Sequence, residues 1–234
     1  MIKKILSAIF SVGVISLCSA EKFDLEVYAS KFDSIPVGVV EFLPTNGIEL
    51  ADNKPGTIIS SDLDFCGKFH VLSKSVFDSA TFTDENIGIY IDGDYTVEGN
   101  SVTVNCNLRD VATKDLIIGK KYKGETRFIR SLMHKYCNEI VEMLFGDQGI
   151  FESRFIYVTA RGSSRNVTVM DFDGHGTRTI TNNGVINLFP AFMNKNDFIW
   201  TSYLKGRPNL YSGSVLDGSV KPFMASRGIE TSPD

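Results

Sequence analysis

Two parts with different sequence grammar are predicted for this chain: an α/β N-terminal domain (a mixed sheet with two helices), followed by all-β propeller blades. Three observations carry the prediction. Residues 126–145 read as one long amphipathic helix, no helical stripe recurs after Gly149, and the strand-rich remainder repeats itself at an interval of 43–44 residues. The apolar fraction of 43% and charged fraction of 22% are those of a folded chain, which excludes a disordered linker protein.

The first twenty residues stand apart from the fold. Lys3-Lys4 precede an apolar run, Ile5 to Leu17, and Cys18-Ser19-Ala20 places small residues before Glu21. This is the layout of a secretory signal peptide over 1–20, cut between Ala20 and Glu21, and the run is short for a bilayer span. A lipid-modified Cys18 ranks second, because the bulky Leu17 stands where a small residue is expected. The exported chain is expected to be soluble. Without Lys3 and Lys4 it holds 22 basic residues against 28 acidic ones, a net charge of −6. A basic footprint for nucleic acid is therefore missing. Cys66, Cys106 and Cys137 remain, an odd and widely spaced set that reads as three small buried hydrophobes and not as a disulfide framework.

The α/β part spans 36–149. Pro36 opens the β-branched run V37-G-V-V-E-F42, a buried strand. Residues 57–66 carry Ile58, Ile59, Leu63, Phe65 and Cys66 on helical spacing, with Gly67 as a left-handed stop. F69-H-V-L72 is a short strand. The runs 87–97 and 101–108 flank a hairpin turn at Glu98-Gly99-Asn100, and 116–122 supplies a further strand. Val102, Val104, Cys106 and Leu108 alternate with Thr103, Asn105 and Asn107, so one face is buried and the other wet. In the helix at 126–145, Phe128, Ile129, Leu132, Met133, Tyr136, Ile140, Val141 and Leu144 form one wide stripe. Thr126 is expected to cap its start and Gly146 its end.

Beyond Gly149 the repeat is visible residue by residue. Phe155 answers Phe198, Asp173 answers Asp217, Gly184 answers Gly228 and Pro190 answers Pro233, at offsets of 43, 44, 44 and 43. Short strands recurring at about 40–45 residues match one four-stranded propeller blade. A β-sandwich of regular hairpins competes with that reading.

Catalytic and metal chemistry is sparse. Asp171, Asp173 and His175 in DFDGHG lack the further oxygen ligands and distal Glu of a calcium loop, and read as a tight Asp-Gly turn. His70 and His134 read as core or surface residues. No Gly-x-Ser-x-Gly elbow and no phosphate-cradling Gly-x-x-x-x-Gly-Lys occurs. No catalytic residue, metal site or cofactor is expected.

IPVGVVEF at 35–42, SSDLDFCGKF at 60–69, LFGDQGIFESRFIYV at 144–158 and DFDG at 171–174 together resemble, in order and spacing, the TolB family. FPAFMNKND at 189–197 and TSPD at 231–234 occupy the positions of that family's Pro-x-Trp-Ser-Pro-Asp-Gly repeat, the first degenerate. The resemblance implies a periplasmic, non-enzymatic scaffold of the Tol-Pal envelope system, with an α/β domain before a six-bladed propeller. It implies that the segment 21–35, through Glu21, Lys22, Phe23, Asp24, Leu25, Glu26, Val27 and Tyr28, contacts a TolA-type inner-membrane protein. A Pal-type peptidoglycan-associated lipoprotein would dock on the propeller face. Roles in outer-membrane integrity, cell division and colicin import follow by the same implication. The competing function is the gating propeller of a secreted prolyl-oligopeptidase-like hydrolase. Residues 150–234 are then a partial propeller, about two of an expected six blades, with Gly228–Asp234 opening a third.

Overall fold

A computed structural model describes residues 34–51 and 53–224. Within it, β1 (Ile35–Val40) is the central parallel strand, and its last four residues are buried. Both its neighbours run parallel to it, which demands covered faces and explains the unbroken β-branched run. The chain leaves β1 through the two-residue β2 (Leu43–Pro44) and enters α1 (Pro55–Phe65). Proline at the first turn starts this helix two residues before the sequence pattern implies; its ring fixes φ and its missing N–H is not needed there. Gly67, at φ +70°, turns the chain into β3 (Phe69–Lys74), which lies beside β1.

Only two helices are expected in this part, but a third forms. α2 (Ser79–Asp84) starts on Asp78, whose carboxylate accepts from the Ala80 and Thr81 amides. It escapes sequence detection because it is six residues long and buries Phe82 alone, so no stripe can show. Phe82 packs where a Cβ on Gly38 would come within 2.7 Å of its ring, so this helix seats on the sheet only over a glycine.

β4 (Ile89–Glu98), β5 (Ser101–Asp110) and β6 (Leu116–Glu125) complete the sheet as an antiparallel meander. The order is β3-β1-β4-β5-β6, with β2 beside β4. A 3₁₀ turn, Thr126–Phe128, leads into α3 (Ile129–Phe145). Thr126 does not cap that helix as expected. Its amide and hydroxyl instead bond Asn100 in the β4–β5 turn, which moves the helix start three residues downstream. Gly146 does end it, in the left-handed conformation at φ +72°. α1 and α3 cover one sheet face around Ile58, Leu63, Val104, Met133 and Tyr136; α2 covers the other around Phe82 and Tyr90. No helix among the described residues is long and apolar enough to cross a membrane.

The remainder is all β. β7 (Arg154–Arg161), β8 (Ser164–Asp171) and β9 (Arg178–Thr179) form one antiparallel sheet. β10 (Asn187–Phe192), β11 (Asp197–Ser202), β12 (Asn209–Ser214) and β13 (Val220–Met224) form the next. Phe155 in β7 and Phe198 in β11 open equivalent strands, so the internal repeat corresponds to real structure. The first sheet nevertheless has three strands, because the fourth strand of the first repeat, β10, pairs into the second sheet. Neither sheet closes on itself among the described residues. Their shared core centres on Trp200, stacked on Phe198 and Tyr211, with its indole N–H donated to Asn187 Oδ1 at 3.1 Å. Val167 and Val169 of β8 complete it.

Candidate functional site

The expected partner-binding segment, Glu21 to Tyr28, and the Ala20–Glu21 cleavage point lie outside the described residues. The described feature with the most concentrated chemistry is the seam between the mixed sheet's helices and the β7–β9 sheet. Its apolar half is aromatic. Phe172, from the turn after β8, meets Phe65 of α1 edge-on at 5.1 Å and Phe151 of the connecting segment at 5.5 Å. Phe151 is seated by α3, since its amide donates to Asn138 Oδ1 at 3.0 Å, and the Phe172 amide reaches the Ser153 carbonyl at 3.1 Å.

The polar half holds four charged or titratable side chains from three elements. His134 of α3 is 5% exposed and sits between two carboxylates. Its Nδ1 lies 2.6 Å from Asp62 Oδ2 of α1, and its Nε2 lies 3.3 Å from Asp173 Oδ2 beside Phe172. Arg130, one helical turn before His134, donates to the same Asp173 oxygen through Nε at 2.9 Å and through Nη2, while its Nη1 reaches Asn53 Oδ1 at 3.2 Å. Burial works against the Asp173 carboxylate. The Arg130 guanidinium, the His175 amide and His134 outweigh it and hold the group below the ordinary carboxylate range. Cys137, one turn beyond His134, is pushed up by burial first and by neighbouring Asp62 second. It is an inert thiol, like buried Cys106; half-buried Cys66 is the third free cysteine.

Asp62, His134 and Asp173 offer three donor atoms within 4.8 Å of one another, a spacing that invites a metal. Asp173 Oδ2 already accepts two guanidinium N–H groups, so the positive charge it needs is supplied by Arg130. The second ring nitrogen of the Asp62–His134 pair faces a carboxylate and not a nucleophile. The His70 and His175 side chains are exposed and take no part in the cluster. The DFDGHG stretch is the tight turn expected from sequence: Gly174 sits at φ +80° and the Asp171 amide bonds the His175 carbonyl. Asp173 does more than turn the chain, however.

Sequence reasoning missed this cluster, although two signals were available. Asp62 interrupts the apolar face formed by Ile58, Ile59 and Leu63, and a carboxylate there needs a partner. Arg130 and His134 are spaced i, i+4 and so share a helix face. A separate open cleft of about 460 Å³ lies at the carboxyl ends of β1 and β3, where α/β sheets commonly take ligands. Lys54 on its rim is held by Glu41 and Glu49, which raise its pKa.

Comparison with known proteins places these features. Residues 23–117 match the family described as the TolB amino-terminal domain. The "Tol-Pal system protein TolB" of Desulfosudis oleivorans is 30% identical over 217 residues, 85% of this chain and 49% of that protein. A "Protein TolB homolog" of Chlorobaculum tepidum is 28% identical over 185 residues, 75% of this chain and 42% of the relative. The crystal structure of TolB from Acinetobacter baumannii superposes with a TM-score of 0.71 at 20% identity, covering 83% of this chain and 50% of that one. The chain thus spans about half the length of the relatives it matches.

Proposed function

Because this chain belongs to the TolB family, we propose that it is a periplasmic, protein-binding component of a Tol-Pal system with no chemistry of its own. The match of residues 23–117 to the TolB amino-terminal domain carries the reading. It is supported by the described cluster, in which both nitrogens of the buried histidine face carboxylates and neither faces a nucleophile. In this reading, residues 1–20 are a cleaved signal peptide and 21–35 a partner-binding arm. Residues 36–149 are the α/β domain, and 150–234 contribute propeller blades. Glu21 to Tyr28 engage a TolA-type inner-membrane protein, and a Pal-type lipoprotein docks on the propeller face. Membrane contact is then indirect, through those partners. Outer-membrane integrity, cell division and colicin import are the processes served.

The test uses the intact gene product as bait in solubilised envelopes. Recovery of a peptidoglycan-associated lipoprotein is expected, and its consistent absence refutes the reading. Deleting residues 21–28 should abolish capture of the TolA-type partner while sparing the lipoprotein. Loss of both, in a folded protein, would place the arm's role elsewhere.

A further inference from the structure

The seam cluster has one property that its hydrogen bonds alone make visible. Asp62 is 1% exposed, and its Oδ1 accepts no hydrogen bond. The His134 Nδ1 proton is therefore the hydrogen bond that compensates for burying this carboxylate. On the opposite ring edge, Nε2 faces Asp173 at 3.3 Å, and Arg130 keeps Asp173 charged. A neutral imidazole has one N–H and one lone pair, so it can satisfy only one of these carboxylates. The lone pair would point at the negative oxygen of the other. Only the doubly protonated ring donates to both.

The charge balance of the site agrees. Two carboxylates and the Arg130 guanidinium leave one negative charge in a buried site, and a second ring proton cancels it. No other cation stands against the ring from α1 or α3; Cys137 beside Asp62 is a neutral thiol at ordinary pH. The cavity of about 270 Å³ lined by His134 also holds Glu152 and Arg154 of the connecting segment, Asp171 of β8 and Lys195 of the β10–β11 turn. Arg154 and Asp171 are bonded to each other, so the wall is nearly balanced in charge and gives water a path to the ring.

We propose that His134 is a proton-operated bolt between the mixed-sheet layer and the first β-sheet, holding α1 to the β8–β9 turn through one imidazolium. With both ring protons present, Asp62 and Asp173 are bridged by a single side chain. When one proton leaves to solvent through the cavity, one of the two contacts becomes a lone pair facing a carboxylate. The seam then relies on Arg130 and the Phe65–Phe172–Phe151 contacts alone. This rests on the described geometry and is independent of any partner.

Nitrogen-15 NMR of the full chain tests the bolt across the pH range in which the fold persists. The His134 ring is expected to show two N–H protons at the acid end and one at the alkaline end. Over the same range, exchange protection of the Phe151 and Phe172 amides, corrected for intrinsic rates, should fall about ten-fold or more, as expected for loss of one charge-assisted hydrogen bond. Asp173→Asn should flatten that fall, and His70→Gln and His175→Gln should keep it. His134→Gln should also flatten it; should that variant not fold, Asp173→Asn with the ring spectrum decides. A ring whose N–H count does not change with pH, protection that does not change with pH, a fall retained in Asp173→Asn, or a zinc ion in the purified protein would each overturn the proposal.

Discussion

Asp173 combines two tasks that a turn residue seldom shares. Its Oδ1 accepts the His175 amide at 2.9 Å and shapes the turn, while its Oδ2 takes the guanidinium of Arg130 and faces His134. Its folded-state pKa is depressed, so it contributes stability above the ordinary carboxylate range, and that stability is lost as pH falls through its folded value. Asp173→Asn should lower unfolding stability by about 3 kcal/mol at neutral pH, since it leaves Arg130 facing a neutral amide. At an acid pH below its depressed folded value the variant and the parent should converge, because the parent's carboxyl is then neutralised too. Urea denaturation at the two pH values checks both statements. At the other end of the molecule, Trp200 donates its buried indole N–H to Asn187. Asn187→Ala should cost about 1–3 kcal/mol by orphaning that donor, measured in the same way.

Among the elements, α3 and the segment that follows it set the seam's geometry. Gly146 stops the helix at φ +72°, and a Cβ on Gly149 would come within 2.6 Å of the Asn138 Cα. Gly149→Ala should therefore displace the connecting segment and lower stability by about 1–3 kcal/mol, more than Gly146→Ala at about 1 kcal/mol. Paired thermal melts would rank them. Elements with a clear period were legible in the sequence: the wide stripe of α3, the alternation along β5 and the repeat that pairs β7 with β11. Elements set by a tertiary contact were not. α2 depends on Asp78 and one phenylalanine over Gly38, and the start of α3 depends on Thr126 bonding a turn 26 residues earlier. The cluster belongs to the second kind. Asp62, His134 and Asp173 lie far apart in sequence, and only the carboxylate on the apolar face of α1 and the i, i+4 spacing of Arg130 and His134 gave local signs of it.

For the molecule as a whole, the one tryptophan lies in the second sheet core, while far-UV circular dichroism reports on every element. With the seam intact, tryptophan emission and circular dichroism should lose structure together in denaturant. In an Asp173→Asn, Phe172→Ala double variant the two curves should separate, the β sheets melting first; coincident curves would mean that the seam does not couple the layers. The cysteines offer a different view of the same seam. Cys106 and Cys137 are buried and their thiols are pushed far from ionising, whereas Cys66, its thiol also raised by burial, is only half-buried at the end of α1, lining a hollow shared with Phe151 of the connecting segment. Among the described residues, a mild alkylating dye should therefore find one address on the native fold and three after denaturation. That single address sits against the connecting segment itself, so the protein arrives with a labelling handle already installed where its two layers meet.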